Sequence, residues 1–158
     1  MELLQTIRLS DLEDVLTCLE QAAWDSNSNT LVISSKGYDS SYPFAAGLIG
    51  FKLNSTCQLT PAWSNNAVPD CPRETKYEEF PFTNTVIAGP AGKRVAFFGT
   101  GPCNTLVAVS ISTGAVLWSA ALDGKGAVFG TPTVINGTVL VGGWDYGHAG
   151  HSMYAFRL

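Results

Sequence analysis

Charge is scarce in this chain, and it does not sort by sign. Lys, Arg, Asp and Glu make up 14% of its 158 residues, for a net charge of −4. With no basic stripe, the electrostatic footprint of a nucleic-acid-binding domain is missing. The densest charged stretch, Arg73-Glu-Thr-Lys-Tyr-Glu-Glu79, mixes both signs and reads as a solvated loop. No apolar run approaches the roughly eighteen residues that cross a bilayer, so no membrane span is expected. The first residues, Met1-Glu-Leu-Leu-Gln-Thr-Ile-Arg8, lack the basic start and long apolar stretch of a secretion signal. On that reading the chain is either cytosolic or a mature or truncated product.

Catalytic and redox signatures are thin as well. Four cysteines are present without a CxxC pair, so no metal or redox motif is expected from them. Cys57 and Cys71 flank a short Pro-containing loop and are the possible disulfide. Closing a loop of that size is worth about 3 kcal/mol in the chain-entropy model. Cys18 and Cys103 have no evident partner. There is no glycine-rich phosphate loop, nucleophile elbow or basic-aromatic stripe. Two glycosylation acceptors, Asn54-Ser-Thr and Asn136-Gly-Thr, matter only in a secretory pathway. The balance leans to an extracytoplasmic origin.

What the chain does have is glycine, 16 of them, and many short apolar runs bounded by Gly, Pro, Asn or Ser. That is the pattern of a turn-rich antiparallel β protein long enough to bury a core. Thr30–Ser35, Arg94–Gly99 and Thr138–Gly143 align as one set of strands. Leu48–Leu53, Leu106–Ile111 and Met153–Leu158 align as the next. A tryptophan strand closes the first two units, Gln58–Trp63 and Ala115–Trp118, and the third unit stops before one. Asn84–Ala88 and Thr133–Ile135 are the expected inner strands, with Asn136-Gly137 as a hairpin turn. From Val32 to Val95 is 63 residues and from Val95 to Val139 is 44. The excess sits in Asn65–Phe82, read as an inserted loop. Three units result: 22–64, 83–122 and 130–158. Ahead of them, residues 1–21 read as a helical segment. Ser10-Asp-Leu-Glu13 fits a capping box, and Leu12, Val15, Leu16 and Leu19 recur at helical spacing, predicting a helix from Asp11 to Gln21. A first inner strand would need the Glu20–Trp24 region, so pattern and architecture conflict there.

The segment Ala108-Val-Ser-Ile-Ser-Thr-Gly-Ala-Val-Leu-Trp118 is the most specific in the chain. It resembles the tryptophan-docking repeat of quinoprotein (pyrroloquinoline quinone, PQQ) dehydrogenases and their non-enzymatic relatives. Ala23-Trp-Asp, Asn29-Thr-Leu-Val-Ile, a Tyr-Pro loop and a terminal Tyr-Ala-Phe look like polyvinyl-alcohol-dehydrogenase-like members. The resemblance implies an all-β partial β-propeller of about three four-stranded antiparallel blades, the last incomplete. In it Thr113 and Gly114 make the outer turn, Trp118 lies over the neighbouring blade, and Ala108 stays small to admit the ring. Family members usually carry Asp where this chain has Ser110. The echo in the first unit is poor, because Trp63 arrives late after Gly50-Phe-Lys-Leu-Asn-Ser-Thr56. A generic β-sandwich with a buried tryptophan is the competing architecture.

The resemblance also implies PQQ and calcium on the propeller axis, an aspartate base and often two adjacent cysteines. This sequence has no adjacent cysteine pair, and no residue can be matched to the calcium ligands. Asp145, His148 and His151, on the loop Trp144-Asp-Tyr-Gly-His-Ala-Gly-His151, are weak candidates for a divalent ion; a glycine-flexed loop is the plainer reading. Lys36–Phe44, with two tyrosines and an aspartate, could bind a small alcohol or sugar, although these are ordinary turn residues. Two functions are expected: a binding or structural propeller module, or a relative of PQQ-dependent alcohol dehydrogenases. The expected partners are remaining blades or a second copy, since three blades leave faces and edges open.

Overall fold

The computed structural model describes residues 18–19, 22–36, 47–65, 83–100, 104–122, 126–128, 130–145 and 150–158. Among them are thirteen strands and no helix. The first sheet holds β1 (Cys18–Leu19), β2 (Ala23–Asp25), β3 (Thr30–Lys36), β4 (Gly47–Leu53) and β5 (Leu59–Asn65). The second holds β6 (Val86–Ala88), β7 (Val95–Thr100), β8 (Thr105–Ser110) and β9 (Val116–Ala121). The third holds β10 (Gly126–Val128), β11 (Thr133–Ile135), β12 (Thr138–Asp145) and β13 (Gly150–Arg157). All pairings are antiparallel, and apart from β1 with β3 and β10 with β12 every pair joins strands consecutive in the chain.

Two sheets have a broken first strand. β1 and β2 both pair with the same side of β3, Cys18 opposite Lys36 and Ala23 opposite Val32. β10 and β11 likewise share one side of β12, Gly126 opposite Asp145 and Thr133 opposite Leu140. Counted by position, the sheets are therefore four, four and three strands wide.

Cys18 and Leu19 correct the expected N-terminal helix. They lie inside the predicted helical span, yet they ladder with Lys36 and Ser35. The available edge of β3 outweighs a helical spacing that one short segment carries alone. The remainder of that expectation, residues 1–17 and 20–21, lies outside the described residues.

The second sheet packs against both of the others, and its strands β7 and β8 are buried on both faces. Ala96, Phe98, Val107, Val109 and Ile111 pack against Val32 and Leu48 of the first sheet, with Trp63 and Ile87 at the margin. Phe97, Leu106 and Ala108 pack on the other face against Val139 and Val141 of the third, joined by Val134, Tyr154 and Phe156. Two-sided burial explains why β7 and β8 read as continuous apolar runs rather than alternating ones. At about 1.5–3 kcal/mol per fully buried aliphatic or aromatic side chain, these two seams dominate the gross stabilisation. β6 touches β2 of the first sheet and β11 of the third.

Turn chemistry fixes the hairpins. Asn136 and Gly137 both have positive φ, 47° and 72°, as a two-residue hairpin turn demands. Asn104 (φ 45°) is buried at the β7–β8 connection; its Nδ2 donates to Leu122 O at 3.0 Å, and Leu122 N donates back to Asn104 O at 2.7 Å.

Candidate functional site

One row of residues runs across each sheet in register. In the first it is Ala23, Val32, Gly50 and Trp63; in the second Val86, Phe97, Ala108 and Trp118; in the third Thr133, Leu140 and Ala155. The small residue of the third strand therefore lies directly opposite the tryptophan of the fourth. Immediately beyond that pair both sheets slip register, between Gly50 and Phe51 and between Ala108 and Val109. The extra residues of these bulges are Ala62 and Leu117, one position before each tryptophan. A bulge bends the strand and re-aims the adjacent side chain.

Trp63 is the ring that is clamped. A Cβ on Gly50 would come within 2.2 Å of its Cε2, so only glycine admits the indole there. The ring also meets Gly114 in the β8–β9 turn, where a Cβ would reach it at 2.5 Å. Gly114 also has φ 72°, so the turn needs glycine for its backbone as well as for the space. Trp63 Nε1 donates to Ile111 O at 2.8 Å. Asn65 Nδ2 donates to Gly114 O beside it. The Thr113-Gly114 turn is held by Gly114 N to Ser110 O (2.8 Å) and Ser110 N to Ala115 O (2.9 Å).

Trp118 occupies the matching place with less cover. Its ring meets Phe156 of the third sheet edge-on, centroids 5.0 Å apart, and it is 38% exposed. Sequence reasoning ranked this tryptophan above Trp63, which closes the first unit's tryptophan strand but follows its motif late. Thirteen residues separate Gly50 from Trp63 and ten separate Ala108 from Trp118. The difference is the longer β4–β5 ladder, which runs three pairs beyond the bulge where β8–β9 runs one; the connecting loops, 54–58 and 111–115, are equal in length. In the first of these loops Asn54 Oδ1 accepts from Thr56 N (3.0 Å) and Gln58 N (2.9 Å). Reading across strands instead of along the chain gives the two tryptophans the same rank.

A polar cluster closes the same seam near the β2–β3 turn. Asp25 is buried, at 3% exposure, and accepts from Ser28 Oγ (2.6 Å) and Ser28 N (3.1 Å). Arg94, which enters β7, brings Nε to 3.1 Å from Asp25 Oδ1, an ion-pair distance without hydrogen-bond alignment. Burial pushes the Asp25 carboxyl up, but the Ser28 hydroxyl, the Arg94 charge and backbone donors outweigh it, leaving the carboxyl below its usual value. Lys52 Nζ donates to Thr30 Oγ1 (2.6 Å) and Ser28 O (2.9 Å), holding the turn from β4.

The other predicted residues are placed as follows. Asp145 stands opposite Gly150 at the end of the β12–β13 ladder, and His151 stands opposite Trp144 one step in. His148 lies outside the described residues, as do Cys71 and residues 37–46 of the tyrosine loop. Cys57 is exposed on the β4–β5 loop, with φ 59°. Among the described residues no three of His, Cys, Asp and Glu gather as a metal set. The buried carboxylate of Asp25 is already committed to Arg94 and Ser28. No described helix is long and apolar enough to cross a membrane, which says nothing of strands.

No family model matches the chain, and no curated protein is similar enough to count as a relative.

Proposed function

We propose that this chain is a propeller-type repeat module that works by binding and scaffolding, related in design to quinoprotein repeats and without a catalytic site of its own. One observation carries the reading: the same small-residue and tryptophan row, with the same bulge beside it, recurs in consecutive sheets. Each recurrence faces the next sheet in chain order, and the inner strands β2, β6 and β11 lie side by side. Stacking of that kind supports blades around a hub over two facing layers of a sandwich. Further blades, or a second copy, would continue the stack.

The experiment is a titration of the protein with PQQ and calcium, followed by dye-coupled oxidation of primary alcohols and polyvinyl alcohol. A scaffolding module gives no saturable quenching of tryptophan emission and no dye reduction. Saturable quenching together with alcohol-dependent reduction would overturn it in favour of a quinone-dependent alcohol dehydrogenase.

A further inference from the structure

We propose that Asn54 carries an N-linked oligosaccharide, received on its side-chain nitrogen from a lipid pyrophosphate donor as the chain passes through the secretory pathway. The proposal stands apart from the repeat reading above. Asn54-Ser-Thr56 has the spacing of an N-glycosylation acceptor, with a residue other than proline between Asn and Thr. The chain holds a second such triplet, Asn136-Gly-Thr138, and the fold treats the two differently.

Asn54 heads the loop that joins β4 to β5, and residues 54–58 are all exposed. Backbone bonds close that loop: Asn54 N donates to Gln58 O at 2.9 Å, and Cys57 N to Asn54 O at 3.1 Å. The two ends of the Asn54 carboxamide have unequal duties. Oδ1 accepts from Thr56 N (3.0 Å), Thr56 Oγ1 (2.8 Å) and Gln58 N (2.9 Å). Nδ2 has only Gln58 Oε1 at 3.5 Å, the far limit of a hydrogen bond. The nitrogen that takes the sugar is thus the loosely held end. A glycan there replaces one N–H and leaves the three bonds to Oδ1 in place. In the transfer, C1 of the first sugar breaks its bond to the pyrophosphate oxygen and forms one to Nδ2. The amide gives up a proton to a basic group of the transferase, and the lipid pyrophosphate leaves. None of the loop residues belongs to either apolar seam, so a bulky polar chain displaces no packing.

Asn136 is the contrast. It sits at φ 47° in a two-residue turn, while Thr138 is half-buried in β12, opposite Ile135 on one side and Arg157 on the other. A transferase reads Asn and Thr together on a surface loop. Here one lies in the turn and the other in a three-strand ladder, whereas Asn54 and Thr56 share one open loop.

The test takes the protein from its source, treats it with a peptide N-glycosidase in water labelled with heavy oxygen, and reads its peptides by mass spectrometry. An asparagine that carried a glycan becomes a labelled aspartate, and position 54 should be labelled to a greater extent than position 136. In cells that secrete the full chain behind a cleavable leader, Asn54→Gln should remove most of the glycosidase-sensitive mass. Thr56→Ser, which keeps the hydroxyl, should retain it, and Asn136→Gln should leave most of it. An unlabelled Asn54 in the source protein would overturn the proposal, as would heavier labelling at Asn136. Either result leaves the scaffolding reading standing, because the quinone titration does not depend on a glycan.

Discussion

Trp63 and Trp118 hold the same position in successive sheets, and they differ in what the next sheet offers them. Trp63 has a glycine beneath it, a glycine turn beside it and a carbonyl for its N–H. Trp118 has alanine opposite, one aromatic edge and over a third of its surface in water. A docking tryptophan is thus worth what its receiving turn makes of it. The motif in the sequence identifies the position, but the neighbouring sheet determines the energy.

The sharpest way to break the contrast is to empty the two sites in turn. Trp63→Ala should destabilise the protein by about 3–4 kcal/mol in urea unfolding, in the range of buried large-to-small changes with a lost hydrogen bond. Trp118→Ala should cost only about 1 kcal/mol, in keeping with its exposure. Similar losses at both would mean that the two rings are equivalent after all.

Filling the clamp comes next. Gly114→Ala should cost about 2–3 kcal/mol, combining the penalty of a positive φ with a Cβ driven into the Trp63 ring. Gly137→Ala is its control. That turn has the same φ of 72° with nothing within 4 Å of a Cβ, so the loss should be about 1–2 kcal/mol. The difference between the two, read from unfolding midpoints, is the contribution of the indole contact.

Acid should loosen the first seam before the second. The Asp25 carboxyl is lowered in the folded protein, so its contribution is present above the unfolded value and lost as pH falls through the lowered one. Stability should therefore decline below about pH 4, and that decline should shrink in Asp25→Asn. Because Arg94 is partly exposed, Asp25→Asn should cost no more than about 2 kcal/mol at neutral pH. A pH profile unchanged by the substitution would remove Asp25 from the seam. The smallest effect belongs to the exposed Ile135, where Ile135→Ser should shift stability by no more than about 0.5 kcal/mol.

Most of the strand pattern was legible because short β-branched runs between turn residues have few other readings. Asn136-Gly137 and Thr113-Gly114 announced their hairpins by the backbone each requires. At Cys18–Leu19 the helical spacing misled, because spacing in one segment says nothing about a strand edge waiting elsewhere, and these two residues answered that edge. Of the split first strands, Thr133–Ile135 was legible, whereas β1 and β10 were not, since two or three residues of ladder carry no period. The candidate site was clear in its second copy and only a poor echo in its first, where three extra residues of the β4–β5 hairpin displaced Trp63 along the chain while leaving it in place across the sheet. Asp25 and Arg94 gave no signal, being 69 residues apart in sequence and joined only by the stacking of two sheets.

Acrylamide quenching of two single-tryptophan variants, with the other three indoles replaced by phenylalanine, tests the unequal docking most directly. The variant retaining Trp63 should emit further to the blue and quench several-fold less steeply than the variant retaining Trp118. Equal quenching slopes would contradict the clamp between the first and second sheets, and with it the repeat on which the functional reading stands.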